Sequence, residues 1–481
     1  MPDKLHEECG VFGIRLKDGM NGVAASAYHA LYALQHRGQE SCGIAVNRDG
    51  VIRCHKDVGL VNDVFTRDVL DRLGEGGMAI GHCRYATTGT QSRINAQPLL
   101  VNHQKGSIAL CHNGNLTNAM ELRRALELGG AIFHTTSDTE VIAYIVTQER
   151  LKTSSIEQAV LAAMERIQGA YSLVIMSPQK LIAARDPHGF RPLCMGELDG
   201  ATVFASESCA LDAIGATFVR DVAPGEVVVA TNEGVRSLQS PRKCKSSLCV
   251  FEFIYFARPD SRIDGSSVHV ARLRAGSFLA LEHPVQADVV IGVPDSGIDA
   301  AIGYSRQSGI PYGIGFIKNK YIGRTFIQPS QKQRQNSVRI KLNVVEATVR
   351  DKRVVMIDDS IVRGTTSARI VSLLREAGAK EVHMRLSAPP FRHPCYFGTD
   401  IDSTDNLIAA HHSVEEIRQL IGVDSLGFLN VDYLPMLAEH SHCGFCNGCF
   451  TGDYPVPPPT GTEKLKFERG LSEARENTHE E

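Results

Sequence analysis

The stretch KRVVMIDDSIVRGTTSARIVSLLREAGAKEVHMRLSAPP, Lys352 to Pro390, leaves the chain little choice of architecture. It reads strand, loop, helix, a stop at Gly378, and a second strand. Its apolar run VVMI lacks the polar alternation of a half-exposed strand, so both faces must be covered. Buried strands alternating with helices build a parallel α/β sheet. ADVVIGVPDSG (Ala287 to Gly297) is another apolar run feeding a turn. The first half of the chain has a different rhythm. VFGI, GIAV, SIALCHNG, YSLVIMS, LIAAR and TVFASE are short β-rich segments separated by amphipathic stretches. Spacing predicts helices over Val23–His36 and around Glu121–Leu128 and Glu140–Glu149. Asp221 to Leu238 reads as a closing hairpin, because Pro224-Gly225 and Asn232-Glu233-Gly234 are turn signals.

A chain of 481 residues is too long for one core. The polar segment Ser240–Ser247 is a plausible junction, giving one domain over 9–240 and a second over 250–455. Beyond Tyr454 the composition turns to proline and then to charge, so a mobile tail is expected over 456–481. Hydrophobic content of 43% and charge of 22% describe an ordinary globular protein. A net charge of −3 argues against nucleic acid as a partner. No apolar run reaches membrane-spanning length and no secretory signal is visible, which makes cytoplasm the default expectation and leaves no membrane partner. Thirteen cysteines in such a chain point to metal, catalysis or burial rather than a disulfide framework.

Cys9 opens the run CGVFGI after eight mostly polar residues, MPDKLHEE. A thiol of pKa about 8.5 is only about 3% thiolate at pH 7. A free α-amine titrates at about 7.7–8.0, so removing residues 1–8 as a propeptide would place a general base on the nucleophile's own residue. CGVFGI is followed by LQHRGQESCGIA (Leu34 to Ala45), GHCRYATTG (Gly81 to Gly89), CHNGNL (Cys111 to Leu116) and TSDTE (Thr136 to Glu140). In order and spacing these motifs resemble the glutaminase domain of the N-terminal-nucleophile amidotransferases. The resemblance implies an α+β sandwich of αββα layers in which Cys9 attacks the side-chain amide of glutamine, giving a thioester and ammonia. It places Asn113 and the backbone N–H of Gly114 as the oxyanion hole. Arg84 offers a planar fork for the substrate carboxylate, and Asp138 can pair with its ammonium.

VVMIDDSIVRGTTS (Val354 to Ser367) resembles the fingerprint of type I phosphoribosyltransferases. The strand delivers Asp358 and Asp359 to the sheet edge where ligands of open α/β folds bind, suited to ribose hydroxyls. Arg363, Gly364, Thr365 and Thr366 begin a helix, so backbone N–H groups and two hydroxyls can cradle a phosphate. By the same resemblance, Pro294-Asp295-Ser296-Gly297 is the partner loop for diphosphate, and Ser296, Asp358 and Asp359 place Mg²⁺ through hard oxygen ligands. Gly315 to Asn343 concentrates Lys318, Lys320, Arg324, Lys332, Arg334, Arg339 and Lys341. Beside a polyphosphate site such a run reads as a lid, with Lys318 and Lys341 among the phosphoribosyl-diphosphate ligands.

The two halves in this order, with FEFIYFARPDS (Phe251 to Ser261) and CFTGDYP (Cys449 to Pro455), resemble the glutamine phosphoribosylpyrophosphate amidotransferases. That family implies phosphoribosylamine synthesis at the start of purine synthesis, a homotetramer, and purine nucleotides as feedback inhibitors. The run CGFCNGC carries Cys443, Cys446 and Cys449, a strong metal signal for which zinc is the first guess from spacing alone. The propeptide-bearing branch of the family implies a [4Fe–4S] cluster on Cys249, Cys395, Cys446 and Cys449, with Cys443 a rival ligand. The other cysteines read as packing residues. Two other readings compete: a different glutamine amidotransferase, making glucosamine phosphate or asparagine, and a non-catalytic regulator that binds phosphoribosyl diphosphate. The first has no use for the phosphoribosyl fingerprint, and the second none for Cys9, Arg84 and Asp138 together.

Overall fold

The computed structural model describes residues 9–17, 22–85, 92–319, 342–399, 401, 403–441 and 443–459. The first half is two stacked antiparallel sheets. The first sheet takes the order β11-β9-β10-β1-β4-β2-β3 and the second β13-β12-β8-β7-β6-β5. The strands are β1 Gly10–Arg15, β2 Ser41–Arg48, β3 Val51–Val58, β4 Met78–Arg84, β5 Leu99–His103, β6 Gly106–Leu116 and β7 Gly169–Met176. They continue with β8 Leu181–Arg185, β9 Cys194–Leu198, β10 Ala201–Ala205, β11 Thr217–Asp221, β12 Glu226–Thr231 and β13 Gly234–Gln239. Val11, Ile80, Ala109, Val174 and Phe204 fill the space between the sheets.

Helices close both outer faces. On the first sheet lie α1 (Val23–Ala33), α2 (Val61–Val64), α3 (Arg67–Leu73) and α7 (Ser208–Ala213), packed on Phe12, Ile14 and Ile44. On the second lie α4 (Ala119–Leu128), α5 (Asp138–Lys152) and α6 (Ile156–Met164), packed on Leu110, Leu173 and Ile175. This is the αββα sandwich. It explains why all six residues of β1 are buried: one face meets the other sheet and the opposite face meets helices. Two helices differ from expectation. α1 stops at Ala33, three residues early, in a turn whose Leu34 N–H still bonds the Ala30 carbonyl. α5 starts at Asp138 because Ser137 caps it, its side chain accepting from the Thr139 N–H.

The second half is a parallel sheet of Val289–Gly292, Arg353–Asp358, Glu381–Leu386 and Ser425–Phe428 in that spatial order. Alternation along the second strand assigns each face. Val355 and Ile357 pack towards α8 (Val268–Glu282) and α9 (Gly297–Ser308). Val354 and Met356 pack towards the helices Thr365–Glu376 and Val414–Ile421. A short antiparallel pair, Phe316–Lys318 with Leu342–Val344, brackets the basic segment. Lys341 and the rest of 320–341, on which the lid expectation falls, lie outside the described residues, as do 1–8 and 460–481. The expected tail does not begin at 456: Val456 is buried with Phe190 and Phe397.

Candidate functional site

The sandwich brings the amidotransferase residues together from four places in the sequence. Antiparallel pairing matches Gly10 with Cys83, so Cys9 at the mouth of β1 lies beside Arg84 at the end of β4. Cys9 is buried, and its thiol donates a hydrogen bond to the Tyr85 carbonyl at 3.5 Å. Its own carbonyl accepts from Arg37 Nε at 3.0 Å. In the facing sheet, β6 presents Asn113 and Gly114. Gly114 has φ +137°, and a Cβ there would meet the Ala170 carbonyl oxygen at 2.2 Å, so no other residue can hold this backbone. Asn113 is buried, and its side-chain nitrogen has no hydrogen-bond partner among the described residues. A buried amide donor left unmet costs about 1–3 kcal/mol. It is tolerable where a substrate oxygen takes that bond.

Asp138 accepts from the Leu116 N–H at 3.0 Å and lies 3.5 Å from His112 Nδ1. Burial pushes its carboxyl up, but the charge and hydrogen bond of His112, the Leu116 N–H and the Arg84 charge outweigh this and hold it below the usual carboxylate range. It is therefore an anion at neutral pH, suited to an ammonium. His112 sits in a cradle: its N–H donates to Gln97 Oε1 at 2.7 Å, and its carbonyl accepts from His82 Nε2 at 2.9 Å. Burial lowers His82 to about 3, so that ring is neutral.

The phosphoribosyl residues gather at the carboxyl edge of the parallel sheet. The strand Arg353–Asp358 ends in Asp358, and Asp359 follows, both buried. Asp359 accepts from the hydroxyls of Ser296 and Ser360, each at 2.5 Å, and its own N–H donates to Asp358 Oδ1 at 3.0 Å. Ser296 reaches Asp359 because the two loops touch through backbone: a Cβ on Gly297 would lie 2.4 Å from the Ile357 carbonyl oxygen. Gly364, with φ +88°, precedes the helix Thr365–Glu376. That helix leads with Thr365 and Thr366 behind Arg363, an anion-binding N-terminus facing the acidic pair's edge. Lys318 pairs with Asp295 at 2.5 Å, so it stands at the same loop.

A third cluster lies where the second domain meets the first. Cys249 pairs with Cys446 in a short parallel bridge. Cys249, Cys395, Cys446 and Cys449 line one cavity whose other walls include Phe190, Phe251, Phe391 and Ile401. Burial pushes the Cys446 thiol up to about 12 and Cys449 well above its ordinary value. Cys443 is absent from that lining and faces Asp264 and Ser246 instead. Among the described residues no three His, Cys, Asp or Glu side chains converge on one point as ligands of a single ion.

A buried charged network that no sequence motif signals lies beneath Cys9. Arg37 donates to Glu207 at 2.7 Å and to both oxygens of Glu252 at 2.8 and 2.9 Å, and Glu252 also meets Arg191 at 3.4 Å. Arg37 lies inside the Leu34–Ala45 motif, but no spacing pattern ties it to Glu207 and Glu252, 170 and 215 positions away.

Fold and sites define a class: a glutamine amidotransferase domain joined to a phosphoribosyltransferase domain. The glutamine amidotransferase domain model matches residues 82–213 and the phosphoribosyl transferase domain model residues 268–395. The amidophosphoribosyltransferase of Synechocystis sp. is 50% identical over 469 residues, 97% of this chain and 94% of the relative. That of Bacillus subtilis is 50% identical over 457 residues, 94% of this chain and 95% of the relative. The solved structure of the B. subtilis glutamine phosphoribosylpyrophosphate amidotransferase, complexed with ADP and GMP, matches with TM-score 0.88 and 48% identity. It covers 94% of this chain and 99% of its own. The chain belongs to the amidophosphoribosyltransferase family, glutamine-dependent enzymes of purine synthesis.

Proposed function

We propose that the chain hydrolyses glutamine at Cys9 and uses the ammonia to displace diphosphate from 5-phosphoribosyl 1-diphosphate, forming 5-phosphoribosylamine. The observation that carries this is the buried, unmet side-chain donor of Asn113, in the same sandwich in which Cys9 lies beside Arg84 and the Arg84 charge reaches Asp138. Removal of residues 1–8 would free the Cys9 amine. That amine takes the thiol proton as sulfur attacks the amide carbon. The oxyanion accepts from Asn113 and the Gly114 N–H, and the proton passes to the leaving ammonia. Water then cleaves the thioester to glutamate. Ammonia stays neutral only away from bulk water, so an internal passage from the first domain (9–240) to the second (250–455) supports the second step. There the ammonia nitrogen bonds C1 of the sugar as the C1–O bond to diphosphate breaks.

In the second site, Asp358 and Asp359 receive the ribose hydroxyls while Arg363, Gly364, Thr365 and Thr366 hold phosphate, with Lys318 and Lys341 on the diphosphate. Ser296, Asp358 and Asp359 supply the hard oxygen donors that suit Mg²⁺, whose charge would offset that of the departing diphosphate. The four cysteines around the apolar cavity suit a [4Fe–4S] cluster better than zinc. Zinc needs its thiolates about 2.3 Å from one centre, whereas a cubane spreads them. The position of Cys443 off the cavity supports Cys249, Cys395, Cys446 and Cys449 as the set. The nucleotides in the B. subtilis structure support purine nucleotides as feedback inhibitors. A homotetramer and a cytoplasmic location complete the reading. No helix among the described residues is long and apolar enough to cross a membrane.

The direct test is stoichiometry. With glutamine, phosphoribosyl diphosphate and Mg²⁺, glutamate and diphosphate should appear one to one, in enzyme whose intact mass begins at Cys9. Glutamate release without diphosphate release, or full activity with the leader retained, would contradict it.

A further inference from the structure

We infer that Arg191 is a positioning residue for the glutaminase half, through which the second domain holds both the nucleophile and the oxyanion strand in place. The inference rests on the assignment of Cys9 as nucleophile. Arg191 is fully buried between β8 and β9. Its Nε and Nη2 donate to the Phe397 carbonyl at 3.1 and 2.6 Å, and its Nη1 lies 3.4 Å from Glu252 Oε1. From there two paths return to the first domain.

One path runs through Glu252, in the single π-helical turn Glu252–Phe256, to Arg37 and so to the Cys9 carbonyl. The other runs through the loop around Phe397. Asn115 Nδ2, on the oxyanion strand, donates to the Tyr396 carbonyl at 2.9 Å. A Cβ on Gly398 would lie 3.1 Å from Arg191 Nη2 and 3.3 Å from both C and Cα of Gly114. That loop therefore touches the oxyanion residue itself. One guanidinium thus joins two second-domain elements, and each of them touches one half of the glutaminase apparatus.

Arg37, Arg191, Glu207 and Glu252 are each at most 1% exposed. Charges so deeply buried persist only when each meets its opposite in good geometry, which makes the network stiff. A misplacement of about 1 Å between nucleophile and oxyanion donors can cost about 10²-fold in rate. Neither path runs through Arg84 or Asp138, the proposed anchors for the glutamine backbone charges. Disturbing Arg191 should therefore lower turnover and spare binding.

The test compares Arg191→Lys and Gly398→Ala in the full chain, with Cys9→Ala run in parallel. The measurements are kcat and KM for glutamine, the rate with ammonium in place of glutamine, and Tm. The expected result is a glutamine kcat at least ten-fold lower, a glutamine KM within three-fold, and an ammonia-dependent rate within two-fold of the parent. Equal falls in glutamine- and ammonia-dependent rates would overturn the inference, as would no fall in either, or failure of both variants to fold. Glutamine-dependent activity in Cys9→Ala would instead remove the nucleophile assignment on which the inference rests.

Discussion

Asn113, the proposed oxyanion donor, carries its amide at a cost to folding. Its amide nitrogen is buried without a partner among the described residues, which disfavours the resting fold, and in the proposed mechanism it donates to the oxyanion. Asn113→Ala should therefore lower the glutamine-dependent rate by about 10²–10³, the usual effect of removing one oxyanion donor. It should leave the ammonia-dependent rate unchanged and Tm equal or higher. A large fall in Tm would show that the amide is structural. At this scale the sequence was most legible for Cys9, Arg84, Asn113, Gly114 and Asp138, because each lies in a short ordered motif. It was least legible for Arg37, Arg191 and Glu252. Their meeting depends on how a turn of the second domain packs against the first, and no local pattern encodes that.

Among elements, the parallel strands were readable because they are buried on both faces and so appear as unbroken apolar runs. The sandwich strands were readable as segments but not as pairings: antiparallel register, which sets Cys9 beside Arg84, is fixed by contacts distant in sequence. At the end of β11, Asp221 tests the electrostatics of the junction. Burial, then the neighbouring Asp264 charge, pushes its carboxyl from 3.8 to about 6. Between those values the folded protein holds a proton that the unfolded chain has lost, so stability falls as pH rises from about 4 to 6 and stays lower above. Asp221→Asn mimics the protonated form. Relative to the parent it should gain stability at pH 7.5, by at most about 3 kcal/mol, and match it at pH 4. Thermal melts at the two pH values check this; a gain independent of pH would refute the assignment.

For the whole molecule, the cysteine corner ties the end of the second domain to its start through the Cys249–Cys446 bridge, and Phe190 of the first domain lines the same cavity. Thiols pushed as high as Cys446 and Cys449 are neutral when metal-free, so metal binding must displace protons, and acid should release it. Anaerobically purified protein is expected to be brown, with about four iron and four acid-labile sulfide per chain. One zinc per chain and no sulfide would overturn the cluster. The spacing of CGFCNGC is a metal signal, and the proposed exclusion of Cys443 rests on the fold, which turns it towards Asp264.

In the proposed mechanism two chemically separate sites share one chain, with glutamine opened only at Cys9 and the sugar substituted elsewhere. Cys9→Ala tests it most directly when diphosphate release is followed with glutamine and, separately, with ammonium. Glutamine should support no release, while ammonium should support release at close to the parent rate. Release with glutamine, or loss of both reactions in a protein that melts like the parent, would contradict it.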